Sequence, residues 1–322
     1  MPDFIFITAN DIHISDNGPR SRTDDFKKTV LGKIGQIGLA ANKLNADATL
    51  ISGDLFNLKN PAKNSHNLNR ELIREFKKFN KPRYMIEGNH DLTSNQLESL
   101  EKQPLGVLFE DETLIQLRET FIEKEGVKIS LVGIPFQEGL NPTELTLPDR
   151  QGAVARICLL HIYASLTPGM LFKERIYGYK EFSHLDADIF VIGHYHIDQG
   201  IEEVDGKYFV NLGSVTRGTL SDEDVEHKPK IGFIKISVKD DIPKYTLQSI
   251  NLKVCPVDEV FDLKKREEEQ KEASEIEAFV NKLMSDSFVA SKKNYEQILI
   301  DMEMAKAVKD KVLHFLQEAK VK

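Results

Sequence analysis

The first ninety residues alternate between short apolar runs and longer stretches with helical spacing, and this alternation narrows the folds open to the chain. Buried strands are indicated by the apolar runs 4–8, 48–51 and 83–86. Helical spacing separates these runs, first from Asp24 to Leu44, with Asp24 as the expected N-cap, and then at 65–79. Such an order predicts a parallel sheet with helices packed against it. Reactive residues then gather beyond the carboxyl ends of the strands.

After residue 95 the chain changes to closely spaced strand patterns with turn signals between them. A short helix is expected at 96–102, while 163–187 has the pattern of a loop with a short helix. The dipeptide Glu125-Gly126 gives the clearest hairpin turn. Further strands are predicted at 113–117, 121–123, 127–133, 157–160, 189–192, 207–212, 232–238 and 245–252. We therefore expect an α/β architecture in which two sheets pack face to face and helices cover them.

The composition is ordinary for a globular protein, with 40% hydrophobic and 29% charged residues. No apolar run has the length of a membrane span, and the first residues do not show a positively charged segment followed by an apolar one. We therefore expect no membrane association. Cys158 and Cys255 lie far apart and lack the spacing of a disulfide framework. This usage of cysteine predicts reduced, buried thiols and a cytoplasmic location.

The formal net charge of −8 bears on the class of substrate. A protein that binds duplex nucleic acid usually has an excess of basic residues on one surface, and the composition of this chain shows no overall basic excess. Part of the acidic excess is local, in 222–226 and 267–269. Carboxylates that bind metal ions also count as negative here, although bound cations would offset them. The charge therefore counts against a DNA substrate but leaves it open.

From Pro256 onward the composition becomes highly charged and helical. We accordingly divide the chain into a catalytic domain at 1–255 and a cap and helical partner-binding region at 256–322. Residues 292–320 carry apolar side chains at three- and four-residue spacing. That stripe could dock on a partner protein, fold back on its own domain or pair with a second copy in a homodimer. The sequence leaves these three possibilities open.

Side chains of the types that bind metal ions follow five of the predicted strands. They are Asp11, His13, Asp54, Asn89, His161, His194 and His196. One ion does not need so many oxygen and imidazole donors, whereas two ions that share one carboxylate would use them all. Such a mixture of donors suits Mn²⁺, Fe²⁺ or Zn²⁺ better than Ca²⁺ or Mg²⁺ alone. His90 remains as a donor of a proton or of positive charge, and Asp91 is expected to hold its ring in place.

The order of these motifs resembles the calcineurin-like metallophosphoesterase superfamily over residues 1 to about 215. The motifs are Asp11-x-His13, Gly53-Asp54, Gly88-Asn89-His90-Asp91, His161 and Gly193-His194-x-His196. Narrower features resemble the SbcD-type DNA repair nucleases within that superfamily. These features are Gly53–Phe56 followed by Pro61, Gln199 after the Gly-His-Tyr-His stretch, Leu212–Arg217 and Lys230–Phe233.

The resemblance implies a four-layer α/β/β/α sandwich with a small C-terminal α+β cap and terminal helices. It also implies two metal sites that share one aspartate. The first would be formed by Asp11, His13, Asp54 and His196, and the second by Asp54, Asn89, His161 and His194. Manganese is the ion that the family favours, with Fe²⁺, Zn²⁺ or Mg²⁺ as alternatives. The implied activity is that of a DNA exonuclease or endonuclease in DNA repair and recombination, working with a separate SbcC-type ATPase subunit.

The chain departs from the family pattern at Asn57, where several family members carry a histidine that contributes to work at DNA ends. Because an amide has no proton to exchange, the balance between exonuclease and endonuclease action stays open. Asn57 is still expected near the nucleic acid. Ser214 and Arg217 are expected to contact its backbone.

Two other function classes compete with a DNA nuclease. One is a metallophosphoesterase for a small phosphomonoester or cyclic nucleotide, which the net charge favours. The other is a binding partner that kept the fold without activity, and the complete set of ligand residues argues against it. The apolar stripe at 292–320 favours the nuclease, because a small-molecule esterase has little use for it.

Overall fold

The computed structural model describes residues 1–171, 174–219 and 221–264, together with seven isolated positions beyond them. The chain separates into two compact units, residues 1–260 and 261–322. Almost all of the predicted cap and terminal helices therefore lies outside the described residues. The functional division at residues 255 and 256 stays a prediction. In the described part of the chain, no helix is long and apolar enough to cross a lipid bilayer.

The first unit contains five helices and fifteen strands among its described residues. The helices are α1 (Phe26–Lys43), α2 (His66–Phe76), α3 (Pro104–Glu110), α4 (Asp222–Glu226) and α5 (Val257–Val260). The strands are β1 (Asp3–Ala9), β2 (Ala48–Ile51), β3 (Arg83–Met85), β4 (Ile115–Gln116), β5 (Glu119–Lys124), β6 (Val127–Ile134), β7 (Ala155–His161), β8 (Ala164–Ser165), β9 (Gly169–Leu171), β10 (Glu174–Gly178), β11 (Ile189–Gly193), β12 (Gly200–Val204), β13 (Lys207–Asn211), β14 (Lys230–Lys239) and β15 (Ile242–Asn251).

Two six-stranded sheets form the centre of the unit. The first has the order β15-β14-β1-β2-β3-β4, and the second has the order β12-β13-β11-β7-β6-β5. In the first sheet β1 to β4 run parallel, with β14 antiparallel to β1. In the second sheet β13, β11, β7 and β6 run parallel. A small sheet, β8-β10-β9, lies in the chain between β7 and β11.

Side-chain alternation along the strands explains why the two sheets stack. In β1, Phe4 and Phe6 face the core between the sheets, whereas Ile7 faces the helices. The inter-sheet core continues with Leu50 from β2 and Val191 from β11, both fully buried. Each sheet is therefore apolar on both faces and needs a covering layer on its outer side.

The two outer layers differ in how they are built. Helices α1, α2 and α3 bury their apolar faces against the first sheet. The second sheet is covered around Tyr179, Phe182, Phe190 and Phe209 by 3₁₀ turns and extended segments. This layering confirms the predicted four-layer sandwich, with the qualification that the fourth layer contains little regular helix among the described residues.

Local structure differs from the sequence predictions at several points. The N-cap of α1 is Asp25, whose side chain accepts the Lys28 amide at 3.1 Å, while the predicted cap Asp24 instead binds Arg22 and the Thr29 hydroxyl. Residues 163–187, predicted as loop and short helix, contain β8, β9 and β10. The predicted hairpin turn at 125 and 126 is confirmed, with φ values of 52° and 78°. Cys158 is buried as predicted, whereas Cys255 is exposed.

Candidate metal centre

The predicted ligand residues meet at one edge of the sandwich, just beyond the carboxyl ends of five parallel strands. In the first sheet β1 leads to Asp11 and His13, β2 to Asp54 and β3 to Asn89. In the second sheet His161 is the last residue of β7, and His194 follows β11. Both sheets therefore contribute to one centre, which explains why the seven residues come from distant parts of the sequence.

Four of the seven residues have an uncommon backbone conformation. The φ angles of Asp11, His13, Asp54 and His194 are 49°, 50°, 53° and 87°, in the left-handed region. This conformation costs a residue with a side chain about 1–2 kcal/mol. Such strain concentrates at functional sites, where the surrounding structure holds it in place.

Glycine next to the ligand residues allows their loops to approach closely. A Cβ atom on Gly88 would collide with the Asp54 carboxylate, and one on Gly193 would collide with the backbone oxygen of Ser52. The glycines of the Gly-Asn-His-Asp and Gly-His-Tyr-His stretches are thus needed for packing of the centre.

The first group of donors contains Asp11, His13, Asp54 and His196, with one ligand atom of each within 4.8 Å of the others. The Nε2 atoms of His13 and His196 lie 2.9 Å apart. His13 Nε2 is 3.6 Å from Asp54 Oδ2, and His196 Nε2 is 3.9 Å from Asp11 Oδ1. Two imidazole and two carboxylate donors at these separations could surround one cation.

The second group contains Asp54, His161 and His194, also with ligand atoms within 4.8 Å of one another. His161 Nε2 lies 3.4 Å from Asp54 Oδ2 and 3.2 Å from Asn89 Oδ1. Asn89 therefore joins this group as an oxygen donor. Asp54 belongs to both groups, as expected for a carboxylate shared between two cations.

The surroundings of the Asp54 Oδ2 atom show whether a cation fits between these side chains. Asp54 is fully buried, and among the described residues its Oδ2 atom has no hydrogen-bond partner. Its Oδ1 atom, in contrast, accepts the His90 amide at 2.7 Å. A buried carboxylate oxygen without a partner is costly, and a cation on that side would remove the cost. The donor set therefore fits a pair of cations bridged by Asp54.

Backbone contacts fix the orientation of the ligand side chains. His161 donates from Nδ1 to the Ser52 carbonyl at 2.7 Å, which leaves Nε2 to face Asp54. Asp11 accepts the His194 amide at 3.0 and 3.2 Å. Contacts of this kind set the tautomer and the ring plane of a ligand before any metal arrives.

Ionisation of the centre follows from burial and from the close packing of opposite charges. Burial alone would lower the pKa of His161, but the Asp54 carboxylate raises it to about 9. Although burial opposes it, the positive charge of His161 holds the pKa of Asp54 well below its usual range. Burial and the neighbouring His196 hold the pKa of His13 well below normal, which favours the neutral, metal-binding imidazole.

The predicted partnership between His90 and Asp91 is wrong. His90 Nδ1 donates to the Asn57 carbonyl at 2.8 Å, and its ring lies 4.8 Å from the ring of His13. Asp91 instead accepts the amides of Phe56 and Gly88, each at 3.0 Å. It thereby ties the loop after β2 to the loop after β3. Burial, together with the charge of Asp54, raises the pKa of Asp91 to about 8.

The structure argues against a direct nucleic-acid contact by Ser214 or Arg217. Ser214 is buried, and its hydroxyl donates to the Asp11 carbonyl at 2.7 Å. Arg217 is 4% exposed and donates to the Cys255 carbonyl at 2.7 Å. Both side chains have structural contacts in place of the predicted one. Asn57 is partly buried beside His90, and its contact with nucleic acid stays a prediction.

Two residues that the sequence analysis did not consider lie beside the second donor group. The ring centroids of Tyr163 and His194 are 3.8 Å apart, and Glu174 Oε2 lies 3.4 Å from His194 Nε2. Glu174 belongs to β10 and Tyr163 precedes β8. Neither residue stands in a recognisable motif, so the sequence held no signal for them.

Comparison with curated proteins finds a distant relative that is named as a DNA repair protein. The chain is 27% identical over 218 residues to the DNA double-strand break repair protein Mre11 of Archaeoglobus fulgidus. The match covers 62% of this chain and 46% of the relative. The chain thus spans about half the length of that protein.

Several solved structures are similar at low sequence identity. A 5′-nucleotidase precursor from Thermus thermophilus has a TM-score of 0.48 and 14% identity, covering 78% of this chain and 55% of that one. A dimetal phosphatase from Danio rerio has a TM-score of 0.47 and 10% identity, covering 78% of this chain and 99% of that one.

The sequence profile described as calcineurin-like phosphoesterase matches residues 6–198. That range contains all seven predicted ligand residues, and it covers more than half of the chain. The predicted superfamily is thereby confirmed. The chain belongs to the calcineurin-like phosphoesterase family.

Proposed function

We propose that this protein is a DNA nuclease that hydrolyses phosphodiester bonds at a centre of two divalent cations, with manganese as the native ion. The observation that carries the chemistry is the position of Asp54 Oδ2, which is buried and lies between His13 and His161 at 3.6 and 3.4 Å. A shared carboxylate between two sets of imidazoles is the arrangement that holds two ions close together. The mixed oxygen and nitrogen donors favour manganese, with Fe²⁺, Zn²⁺ or Mg²⁺ as alternatives.

In this proposal the ligand residues form two sets, one for each ion. Asp11, His13, Asp54 and His196 would hold one ion, and Asp54, Asn89, His161 and His194 the other. The bound ions supply positive charge to the phosphoryl oxygens and lower the pKa of water. Ser52 and the backbone amides of His194 and His90 keep the donors in position before the substrate arrives.

His90 would act on the leaving group. Its Nδ1 atom is held by the Asn57 carbonyl, so its Nε2 atom is the one left to present a proton. A proton donated there would neutralise the oxygen that departs from phosphorus. Asp91 contributes indirectly, because it joins the two loops that carry Asp54 and His90.

DNA as the substrate is supported by the 27% match to a DNA double-strand break repair protein. The net charge of −8 favours a second candidate, a phosphoesterase for a small phosphomonoester or cyclic nucleotide. Both candidates use the same cations and the same ligands. They differ only in what surrounds the phosphorus, so a panel of substrates separates them.

The test is hydrolysis by the purified chain in manganese of linear duplex DNA, single-stranded DNA, bis-p-nitrophenyl phosphate and p-nitrophenyl phosphate. We expect cleavage of DNA and of the diester, and loss of both in Asn89→Ala. His66→Ala, a change at an exposed histidine on α2, is the matched control and should keep full activity. Turnover of the monoester without DNA cleavage would establish the second candidate. Activity that survives Asn89→Ala would refute the centre itself.

We further propose that the nuclease works with an SbcC-type ATPase subunit, which binds the C-terminal helical region. Nearly all of residues 290–322 lies outside the described residues, so this proposal rests on the apolar spacing of the sequence and on the family resemblance. The test compares the full chain with a chain ending at residue 289 in co-purification with such an ATPase. The shorter chain should keep its manganese-dependent cleavage and lose the partner. An ATPase that still binds the shorter chain would refute this docking role.

A further inference from the structure

Two tyrosine rings lie beside the second donor group of the candidate metal centre. Tyr163 follows His161 by two residues, and Tyr195 lies directly after His194. The centroid of the Tyr163 ring is 3.8 Å from that of the His194 ring and 5.9 Å from that of the Tyr195 ring. Both tyrosines are only partly buried, so they remain accessible to solvent. A pair of accessible aromatic residues therefore adjoins a predicted ligand of the second cation.

The chain segments around these tyrosines also expose apolar side chains. Leu166 and Met170 follow Tyr163 and are 56% and 67% exposed, and Ile197, two residues after Tyr195, is 40% exposed. They are three of the eight large apolar side chains that are exposed in the part of the chain that the structure describes. Exposed apolar surface of this kind is typical of a binding site. These segments therefore suit a flat, apolar part of a substrate.

Backbone contacts hold both tyrosines in place. The Asn211 side-chain amide donates to the Tyr195 carbonyl at 3.1 Å, and the Tyr163 carbonyl accepts the Tyr177 amide at 2.9 Å. The planes of the Tyr163 and Tyr195 rings meet at 80°, so a flat ligand could stack on one ring while it contacts the other. Because the backbone beneath these rings is already fixed, little conformational entropy would be lost when a ligand packs against them.

The charge beside the second donor group favours a base over a phosphate as the group that binds there. Glu174 Oε2 lies 3.4 Å from His194 Nε2, and the Glu174 side chain is 58% exposed. This acid would repel the phosphates that flank the scissile one, whereas a nucleobase is uncharged and presents a flat face. The net charge of −8 points in the same direction, because it limits how much affinity the neutralisation of phosphates can supply.

We propose that Tyr163 and Tyr195 form a stacking site for an unpaired nucleobase, the base next to the phosphate that is hydrolysed. His194 is predicted to bind a cation that faces this phosphate, so a ring in contact with His194 lies within about one nucleotide of it. The inference rests on the proposed nuclease function and adds how its substrate is held. Because every base has a flat face, the site would bind DNA with little preference for sequence.

Oligonucleotides with and without bases test this site. Cleavage by the full chain in manganese is measured on a single-stranded oligothymidylate and on an oligomer of equal length in which every position is abasic. We expect the KM of the abasic oligomer to be about tenfold higher, the effect of one lost stacking contact. Tyr195→Leu keeps an apolar side chain but has no ring, so the ratio of the two KM values should fall to about one. Tyr195→Phe keeps the ring and should keep the tenfold ratio.

A second tyrosine pair on the same sheet provides the matched control. Tyr208 forms an edge-to-face pair with Tyr245, with centroids 5.7 Å apart. It pairs with Ile189 at the start of β11, whereas His194 follows the end of that strand. Tyr208→Leu should therefore keep the ratio of the wild-type chain. Dissociation constants measured by fluorescence anisotropy in EDTA, where nothing is cleaved, should show the same preference and the same loss in Tyr195→Leu.

The possible results separate the stacking site from the nuclease function. Cleavage of both oligomers with equal KM by the wild-type chain would overturn the stacking site and leave the nuclease in place. A ratio that persists in Tyr195→Leu, or that is lost in Tyr195→Phe, would also overturn it. Manganese content is measured by inductively coupled plasma mass spectrometry, and a loss of manganese in Tyr195→Leu would assign the residue to support of the ligand loop instead. Cleavage of neither oligomer, with turnover of bis-p-nitrophenyl phosphate, would refute the DNA nuclease and this inference with it.

Discussion

At the scale of single residues, His90 and Asp54 are linked only through the His90 backbone amide, and their side chains face different partners. Asp54 accepts the His90 amide through Oδ1 and presents Oδ2 to two imidazoles. The His90 side chain is held from the opposite direction, by the Asn57 carbonyl. Removal of the imidazole therefore leaves the backbone contact with Asp54 in place.

We accordingly expect His90→Ala to keep its metal content and to lose turnover by about 10²–10⁴-fold, the usual contribution of a positioned acid or base. Metal content is measured by inductively coupled plasma mass spectrometry and turnover with bis-p-nitrophenyl phosphate. His66→Ala serves again as the control. A His90→Ala protein that has lost its metal would show that His90 is a ligand.

Lys33 gives a prediction about the pH dependence of stability. Its folded-state pKa is about 7, below the ordinary value of 10.5, mainly because of burial. Between these values the unfolded chain binds more protons, so the free energy of unfolding should rise with pH from about 7 to about 10. Lys33→Met should be more stable at neutral pH and lose this rise, whereas Lys43→Met should keep it. Urea unfolding at several pH values measures the effect, and an unchanged slope in Lys33→Met would contradict it.

The convergence of the seven candidate ligand residues was predictable because each is a chemically distinctive side chain at the end of an apolar run. The partner of His90 was not, because a backbone carbonyl such as that of Asn57 is present in every residue and leaves no pattern in the sequence. Ser214 and Arg217 were assigned to nucleic acid from the family resemblance of the stretch Leu212–Arg217, which carries no information about burial. Their burial depends on partners far away in the chain, Asp11 and Cys255.

At the scale of elements, α1 contains three glycines, and two of them, Gly32 and Gly38, have opposite surroundings. A Cβ on Gly32 would meet no atom within 4 Å, whereas a Cβ on Gly38 would lie 2.6 Å from the ring of Phe79. Close packing of α1 against Phe79, in the segment that follows α2, therefore depends on Gly38. Gly32 contributes only the conformational freedom that weakens a helix interior.

Gly32→Ala should therefore stabilise the protein by about 0.5–1 kcal/mol, because alanine is the better helix former. Gly38→Ala should destabilise it by about 1–3 kcal/mol through overpacking against Phe79. Urea unfolding of the two variants provides a matched comparison within one helix. Equal changes in the two variants would contradict the packing described for Gly38.

Long helices and strands with an apolar run, such as β2, were predictable, whereas short elements without such a run were not. The patterns of α1 and α2 extend over several turns, so their apolar faces were visible in the sequence. Strands β8, β9 and β10 have two to five residues each, too few to show an alternation. Helix α3 starts with a proline and has seven residues, which is also too short for a clear period.

At the scale of the whole molecule, the candidate metal centre joins the two sheets. Asp54 and Asn89 come from the first sheet, and His161 and His194 come from the second. Ions held between them would bind only when the sheets are correctly stacked. Metal binding should therefore stabilise the fold as a unit rather than one loop.

Manganese at a hundred times its dissociation constant should add about 2.7 kcal/mol to the free energy of unfolding. This corresponds to a rise in Tm of a few degrees, which EDTA should reverse. Scanning fluorimetry measures the shift, and His161→Ala should reduce it while His66→Ala should not. A Tm that does not respond to manganese would contradict a centre that spans the two sheets.

The left-handed backbone at Asp11, His13, Asp54 and His194 has a consequence for how this sequence can drift over generations. Glycine tolerates that conformation and avoids about 1–2 kcal/mol of strain, which exceeds its own entropic penalty of about 0.5–1 kcal/mol. A lineage released from selection for hydrolysis would thus relieve backbone strain by replacing these residues with glycine, while Asp11 and Asp54 would also lose their hydrogen bonds to the His194 and His90 amides. Their persistence in a descendant would indicate that turnover is still useful to its host.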